Sequence, residues 1–155
     1  MRTAGILMPI TSLPSPYGVG TLGQCARDFI QFLHRAGQTY WQILPICPTG
    51  YGDSPYQSFS SYAGNPYMID FDDLKKEGLL QEEEYASISW GDNPARVDYS
   101  LLYSHKFSIL RIACSRISGV LSERFQTFCK EQNVWLNDYA LYMSIKDYYG
   151  GQSWQ

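Results

Sequence analysis

The sequence contains no long run of apolar residues, no block of like charges and no closely spaced pair of cysteines. A membrane helix needs about 20 consecutive apolar residues, and the short N-terminal apolar run is interrupted by Pro9. We therefore expect neither a membrane span nor a secretory signal. Nucleic acids and anionic membranes bind clustered Lys and Arg, whereas this chain has dispersed charges and a net charge of −3. We expect no nucleic-acid partner and no membrane partner.

The cysteines do not form a metal-binding pattern. Zinc sites place their ligands in close pairs, and His34 and His105 do not complete such pairs here. Disulfides are the less favoured alternative, and the sequence predicts ordinary buried thiols at Cys25, Cys47, Cys114 and Cys129. Together with the missing signal, this indicates a soluble, cytoplasmic protein without a metal ion.

Tyrosine is the residue type that is unusually frequent. The chain has 155 residues, of which 45% are hydrophobic, so it can form a core as one domain or as part of a larger protein. Thirteen tyrosines raise the aromatic content to 15%. Because tyrosine combines a flat apolar face with a polar tip, such an excess suits a core, an interface or a sugar-binding cleft.

The first fifty residues predict a βαβ unit. Two apolar runs, Ala4–Ile10 and Tyr40–Ile46, have the pattern of strands buried on both faces, and an amphipathic helical segment separates them. Thr21 and Gln24 have the spacing of a capping box, and Gly37 is placed to end the helix. We therefore expect a parallel strand pair in an α/β sheet or barrel, with ligands bound after the carboxyl ends of the strands.

The remainder of the chain predicts mainly helices. A short helix is expected to begin at Asp72 or Asp73, and a longer one follows the N-cap residue Asp98 as far as Gly119. Two further helices are predicted over residues 121–133 and 136–149. A closed parallel barrel needs about 250 residues, so we expect this chain to be the front part of a longer enzyme.

The stretch GYGDSPYQSFSSYAGNPY, residues 50–67, follows the second predicted strand and is called the aromatic loop below. Sugars bind to aromatic faces and to planar hydrogen-bonding groups, and the loop offers both kinds of side chain. Tyr51 and Tyr56 are candidates for stacking, and the candidates for hydrogen bonding are Asp53, Ser54, Gln57 and Asn65. The alternative is that the aromatic rings close the end of a barrel, and we expect this inward packing for Phe59 and Tyr62.

Two other kinds of site are less well supported. Gly18–Gly23 matches the G-x-G-x-x-G pattern of dinucleotide-binding loops, but the loop is long and no ribose-binding acid follows the second strand. Retaining glycosidase chemistry requires a nucleophile and an acid/base about 5–5.5 Å apart. The acids near the loop form no evident pair, and they are Asp53, Asp70, Asp72 and Asp73.

Three long segments make the family recognisable. They are TAGILMPITSLPSPYGVGTLG, then AGQTYWQILPICPTGYGDSPYQSFSSYAGNPYMIDFDDL, and finally WLNDYALYMSIKDYYGG. The chain closely resembles the beginning of the 4-α-glucanotransferases of glycoside hydrolase family 77, also called amylomaltases or disproportionating enzymes. The resemblance covers nearly the whole chain and is weaker between residues 81 and 133.

The resemblance implies a (β/α)8 TIM barrel with helical insertions. Residues 1–78 would form the start of the barrel, including the aromatic loop, and residues 79–155 would form a helical insertion subdomain leading toward the third strand. It implies transfer of α-1,4-glucan segments by a retaining double displacement, without a cofactor. The implied partners are maltooligosaccharides, starch- or glycogen-derived α-1,4-glucans, and glucose as an acceptor.

The resemblance also assigns roles within the aromatic loop. Tyr56 corresponds to the tyrosine that stacks on the sugar beside the scissile bond, and Ser54 and Gln57 match polar positions of the donor cleft. Tyr51 matches an aromatic residue that binds glucan farther out, and Asp53 is expected to brace the loop. The catalytic carboxylates of the family have no counterpart in this chain, so we expect the 155 residues alone to be inactive. The alternatives are a non-catalytic α-glucan-binding module and a hydrolase of the α-amylase superfamily.

Overall fold

The computed structural model describes residues 2–152, except the side chain of Tyr51. The strands are β1 (Gly5–Leu7) and β2 (Tyr40–Gln42). The helices are α1 (Gln24–Arg35), α2 (Phe71–Lys76), α3 (Tyr99–Ser115), α4 (Gly119–Glu131) and α5 (Leu136–Tyr148). Short 3-10 turns occur at Ile10–Ser12, Tyr51–Asp53, Pro66–Met68 and Glu82–Glu84.

The predicted βαβ unit is present. Strands β1 and β2 are parallel, with Gly5 opposite Tyr40 and Leu7 opposite Gln42, and α1 connects them. The prediction that both faces of the strands are buried is wrong for this chain, since Leu7 and Tyr40 are 59% and 61% exposed. The reason is that within residues 2–152 each strand has only the other as a sheet neighbour.

The start of α1 differs from the prediction, whereas its end agrees. Gly23 is the N-cap residue and no side chain caps the helix, because the Thr21 hydroxyl donates to the carboxylate of Asp70 instead. A Cβ at Gly23 would lie 2.1 Å from an oxygen of that carboxylate, so the position excludes any side chain. After the helix, Gly37 has a φ of +67° and its N–H donates to His34 O, which ends the helix as expected.

The later helices begin at capping residues. Asp98 accepts hydrogen bonds from the N–H groups of Ser100 and Leu101, which confirms its prediction as the N-cap residue of α3. Helix α2 instead begins at Phe71, one or two residues earlier than expected, because Asp70 is its N-cap residue and the Asp70 carboxylate accepts the Asp73 N–H at 3.2 Å.

Two groups of buried side chains form the interior. The smaller lies between the strands and α1 and comprises Ile10, Leu13, Ala26 and Met68. The larger joins the loop before α1 to α2 and α3, and it comprises Tyr17, Val19, Tyr67, Phe71, Leu79, Leu80, Tyr85, Trp90, Leu102, Ile109 and Ala113. Residues from both sides of position 78 therefore share one core.

All four cysteines are free, but the prediction that they are buried is wrong. Cys25 and Cys114 are exposed on α1 and α3, and Cys47 and Cys129 are only half-buried.

Among the described residues, no helix has the length and apolar character needed to cross a membrane.

Candidate substrate-binding site

The aromatic loop follows β2 and is closed by its own backbone. The N–H of Gly50 donates to Gln57 O at 2.7 Å, and the N–H of Asn65 donates to Ile46 O at 2.8 Å. A Cβ at Gly50 would lie 2.9 Å from that Gln57 oxygen, so a residue without a side chain permits this closure. These two backbone hydrogen bonds therefore fix the shape of the loop in the part of the chain that follows β2.

Tyr56 and Gln57 border an open groove of about 900 Å³. Tyr56 is 73% exposed, and its backbone N–H donates to the hydroxyl of Ser54 at 3.3 Å. Ser54 thus supports the turn that presents Tyr56, while its side chain does not line the groove. An exposed ring beside a polar amide is an arrangement on which a sugar can stack and form hydrogen bonds.

Asp53 lies behind the groove and connects the loop to α3. Its backbone has a φ of +56°, in the left-handed region, and its carboxylate accepts a hydrogen bond from the Tyr103 hydroxyl. Burial and this hydrogen bond, in that order, raise the pKa of Tyr103. Asp53 also borders a small cavity of about 40 Å³ together with Asn65 and Tyr67, apart from the groove. Its contacts are those of a residue that braces the loop.

Helix α3 supplies an aromatic face that supports the loop. The ring of Tyr67 is buried among the rings of Tyr99, Tyr103 and Phe107, with centroid distances of 6.5, 6.0 and 5.7 Å. Burial raises the pKa of Tyr67. Sequence reasoning missed Tyr103, although the spacing of four residues between these three rings is the signal of one helix face.

The remaining loop aromatics do not both pack as expected. Tyr62 is 74% exposed and lies against Trp135, with ring centroids 5.7 Å apart and an angle of 17° between the ring planes. Its predicted inward packing is wrong, because the ring stacks on the half-buried Trp135 at the start of α5 and remains exposed on its other side. Phe59 is half-buried, and the Lys146 ammonium lies 4.2 Å from its ring centroid. Phe59 and Lys146 also line the groove, as does Tyr142 of α5.

The acids near the loop are all held by other side chains or by backbone groups. Asp72 accepts the hydroxyls of Tyr17 and Tyr85, at 2.7 and 3.2 Å. Asp73 pairs with the Arg27 guanidinium through two bonds of 2.9 Å, which with Lys76 lowers the pKa of its carboxyl to about 2. With Asp70 at the N-cap of α2, these carboxylates stabilise the fold and are not free to react.

Metal binding finds no support in the residues that the structure describes. No group of three or more His, Cys, Asp or Glu side chains is placed to hold a metal ion within residues 2–152.

Tyr51, the second predicted stacking residue, begins the 3-10 turn Tyr51–Asp53, but its side chain lies outside the described part of the chain.

Comparisons with known proteins agree with one another. The sequence profile described as 4-alpha-glucanotransferase matches residues 8–155. The chain is 46% identical over 147 residues to a 4-alpha-glucanotransferase of Clostridium butyricum and 48% identical over 157 residues to one of Thermus thermophilus. These alignments cover 95% and 99% of the chain but only 30% of each relative.

A solved structure shows the same likeness. The amylomaltase of Streptococcus agalactiae, in complex with acarbose, superposes with a TM-score of 0.94 and is 41% identical. The superposition covers 99% of this chain and 31% of that chain, so the chain spans about a third of the length of its relatives. With the profile match over residues 8–155, these findings show that the chain belongs to the 4-alpha-glucanotransferase family, glycoside hydrolase family 77.

Proposed function

We propose that the chain is part of a 4-α-glucanotransferase and that its aromatic loop forms the donor-sugar side of the substrate cleft. The observation that carries the proposal is the exposed ring of Tyr56, presented beside Gln57 at the groove by a loop of fixed shape. The relatives named as 4-alpha-glucanotransferases, and the acarbose complex of the amylomaltase, support a glucan as the ligand.

The proposed binding roles combine the observed contacts with the roles that the family resemblance implies. Tyr56 stacks on the sugar beside the scissile bond and Gln57 forms hydrogen bonds to sugar hydroxyls. Ser54, which matches a polar position of the donor cleft in the family, acts by supporting the turn that presents Tyr56. Tyr51 binds glucan farther out, and Asp53 braces the loop through Tyr103. The proposed substrates are maltooligosaccharides and starch- or glycogen-derived α-1,4-glucans, with glucose as an acceptor.

We place the reacting groups outside this chain. A retaining transfer needs a carboxylate that attacks the anomeric carbon and breaks the glycosidic bond, and an acid that protonates the departing oxygen. The same acid, now ionised, then takes a proton from the 4-hydroxyl of the acceptor, which attacks the glucosyl-enzyme. The acids around the aromatic loop are engaged in capping, ion pairs and hydrogen bonds, which supports assigning both reacting carboxylates to later parts of the enzyme.

The proposed architecture is a (β/α)8 barrel that begins with residues 1–78 and carries residues 79–155 as a helical insertion. The parallel pair β1–β2 and the connecting helix α1 have the arrangement of the first barrel unit. Further strands and helices would cover the exposed apolar residues of β1 and β2. Since residues on both sides of position 78 share one core, the insertion packs as an extension of the barrel. The free cysteines support the cytoplasm as the proposed compartment.

The test uses the full-length enzyme that contains this segment, incubated with maltotriose. Transfer yields glucose together with longer maltodextrins, whereas hydrolysis yields glucose and maltose without longer products. The 155 residues alone should produce neither. Products of hydrolysis only would favour the alternative of an α-amylase-superfamily hydrolase, and binding of maltodextrin without any product from the full-length protein would favour a binding module.

The role of Tyr56 is tested in the same enzyme by Tyr56→Ala. Loss of the stacking face should lower kcat/KM by about a hundredfold, with the thermal unfolding temperature unchanged because the side chain is 73% exposed. Tyr62→Ala is a matched control, since that ring is 74% exposed but lies outside the groove. A decrease of less than about threefold for Tyr56→Ala would contradict the stacking role.

A further inference from the structure

Lys106 is a charged residue in the middle of the larger core. None of its surface is exposed, its ammonium nitrogen donates to Ile69 O at 2.6 Å, and it lies 4.0 Å from the centroid of the Phe71 ring. Burial lowers the pKa of the Lys106 ammonium to about 7, although the Asp70 carboxylate acts in the opposite direction. Burying an ammonium group costs desolvation free energy that an apolar side chain of similar size would not cost. The feature of Lys106 that an apolar residue could not replace is therefore its hydrogen bond to Ile69 O.

The acceptor of this hydrogen bond, Ile69 O, lies two residues beyond the end of the aromatic loop. The segment around Ile69 is also attached to the beginning of the chain, since Met68 O accepts the N–H of Leu22 at 2.9 Å and Asp70 accepts the hydroxyl of Thr21. The bond from Lys106 to Ile69 O attaches it to α3. The exit of the loop is therefore fixed between α1 and α3.

Helix α3 holds the entry of the loop as well. Tyr103, three residues before Lys106 and so on the same side of the helix, donates to Asp53. Tyr56 lies between these two attachments, at Asp53 and at Ile69. The position of the Tyr56 ring therefore depends on the two hydrogen bonds by which α3 holds the beginning and the end of the loop.

We propose that Lys106 is a positioning residue for glucan binding, which fixes the exit of the aromatic loop against α3 and thereby sets the position of Tyr56. The inference rests on the proposed function of the loop. It gives α3 a role in the shape of the substrate cleft although Lys106 itself contacts no part of the groove. Removing the donor would take away the bond that attaches Ile69 O to α3 and would loosen the loop at this end.

The test compares two variants of the full-length enzyme. Lys106→Met is one atom shorter but nearly retains the volume of the side chain, and it removes the donor. Ala113→Gly is the control, because it destabilises the same helix at a buried position two turns beyond Lys106 and far from the loop contacts. Denaturant is added to bring the two variants to equal global stability before they are compared.

Amide hydrogen exchange measures the loop directly. In Lys106→Met, peptides covering residues 50–69 should exchange about tenfold faster than in Ala113→Gly, because one buried hydrogen bond no longer favours the closed loop. With maltotriose, kcat/KM should fall by about tenfold relative to the same control, mainly through a higher KM. Lys106→Gln retains a donor on a side chain one atom shorter and should give intermediate exchange; it replaces the methionine variant if that does not fold.

Equal exchange of the loop in the methionine and control variants, with equal kcat/KM, would overturn the proposal and leave Lys106 as a core residue only. Faster loop exchange without any change in kcat/KM would also overturn it, because the loop's position would then not matter for the substrate. If the unmodified full-length enzyme does not elongate maltotriose, the proposed function fails on its own. The exchange experiment still decides in that case whether Lys106 fixes the loop.

Discussion

The hydrogen bond between Tyr103 and Asp53 can be removed without disturbing the packing around it. Tyr103→Phe deletes one hydroxyl and keeps the ring that lies 6.0 Å from Tyr67. Asp53→Asn keeps the shape of the side chain but replaces the charged acceptor by a neutral amide, which weakens the bond, and asparagine tolerates the left-handed backbone that Asp53 adopts at a φ of +56°. Both substitutions therefore act on the same contact from opposite sides.

The magnitude follows from the surroundings of the two groups. A hydrogen bond to a charged acceptor contributes about 1.5–3 kcal/mol when it is well shielded. Here Asp53 is only half-buried and Tyr103 is 53% exposed, so we expect about 1 kcal/mol at this site. If the contact serves to hold the loop in its binding geometry, each single substitution should lower kcat/KM for maltotriose by about fivefold in the full-length enzyme.

A double-mutant cycle separates this role from direct sugar binding. If the two residues act through their shared bond, the double variant should also be about fivefold impaired, because the second substitution has nothing left to remove. Tyr99→Phe is the control, since the Tyr99 ring also packs on Tyr67 but its hydroxyl forms no hydrogen bond within the described residues. Additive losses, about 25-fold in the double variant, would refute the reasoning and show that the two groups act independently.

Three further predictions concern stability, measured by urea unfolding of the enzyme. The pKa of Lys106 is lowered to about 7, so the folded chain binds fewer protons than the unfolded chain above that value, and stability should rise between pH 7 and 10; the rise should be smaller in Lys106→Met. The hydrogen bonds from Arg116 lower the pKa of Glu84 to about 2, so their contribution should be lost as the pH falls from 4.5 toward 2, and Arg116→Met should weaken this acid dependence. Gly20→Ala would place a Cβ 1.9 Å from a backbone oxygen and should cost about 3 kcal/mol, whereas Gly64→Ala meets no atom within 4 Å and should cost less than about 1 kcal/mol. A flat pH profile for the first two, or equal costs for the two glycines, would contradict the respective contacts.

The features that the sequence predicts well are determined by neighbouring residues. The N-cap at Asp98 needs only the N–H groups of the next three residues, and the helix end at Gly37 needs only a residue that accepts a positive φ. The βαβ unit follows from two apolar runs and the helical segment between them. Each of these signals lies within one short window of the chain.

The features that the sequence does not predict depend on hydrogen bonds between residues far apart in the chain. Thr21 has the spacing of a capping residue, yet its hydroxyl is taken by Asp70, 49 positions away. Lys106 can be buried because Ile69 O, 37 positions away, accepts a hydrogen bond from its ammonium group. No local pattern contains either pairing, so a residue's preferred local role is replaced once the tertiary structure offers a partner.

The candidate site shows the same division. The aromatic loop follows β2, as the order of elements along the chain predicts. Composition leaves open whether its rings face a ligand or pack inward, and the role of Tyr56 is an expectation from the family resemblance. The other wall of the groove comes from Tyr103 and Tyr142, on helices far along the chain, and sequence reasoning left the role of these helices open. The inward packing expected for Tyr62, as a ring that closes the end of a barrel, is not found, since its ring is exposed and stacks on Trp135.

The location of the larger core has a consequence for synthesis on the ribosome. Its members extend from Tyr17 to Ala113, so this core can close as soon as α3 has left the exit tunnel. At that stage β1 and β2 are already paired, while Leu7 and Tyr40 remain largely exposed. The nascent chain then presents a small preformed sheet onto which later segments can add in order, and the same exposed edge makes stalled or truncated products prone to self-association.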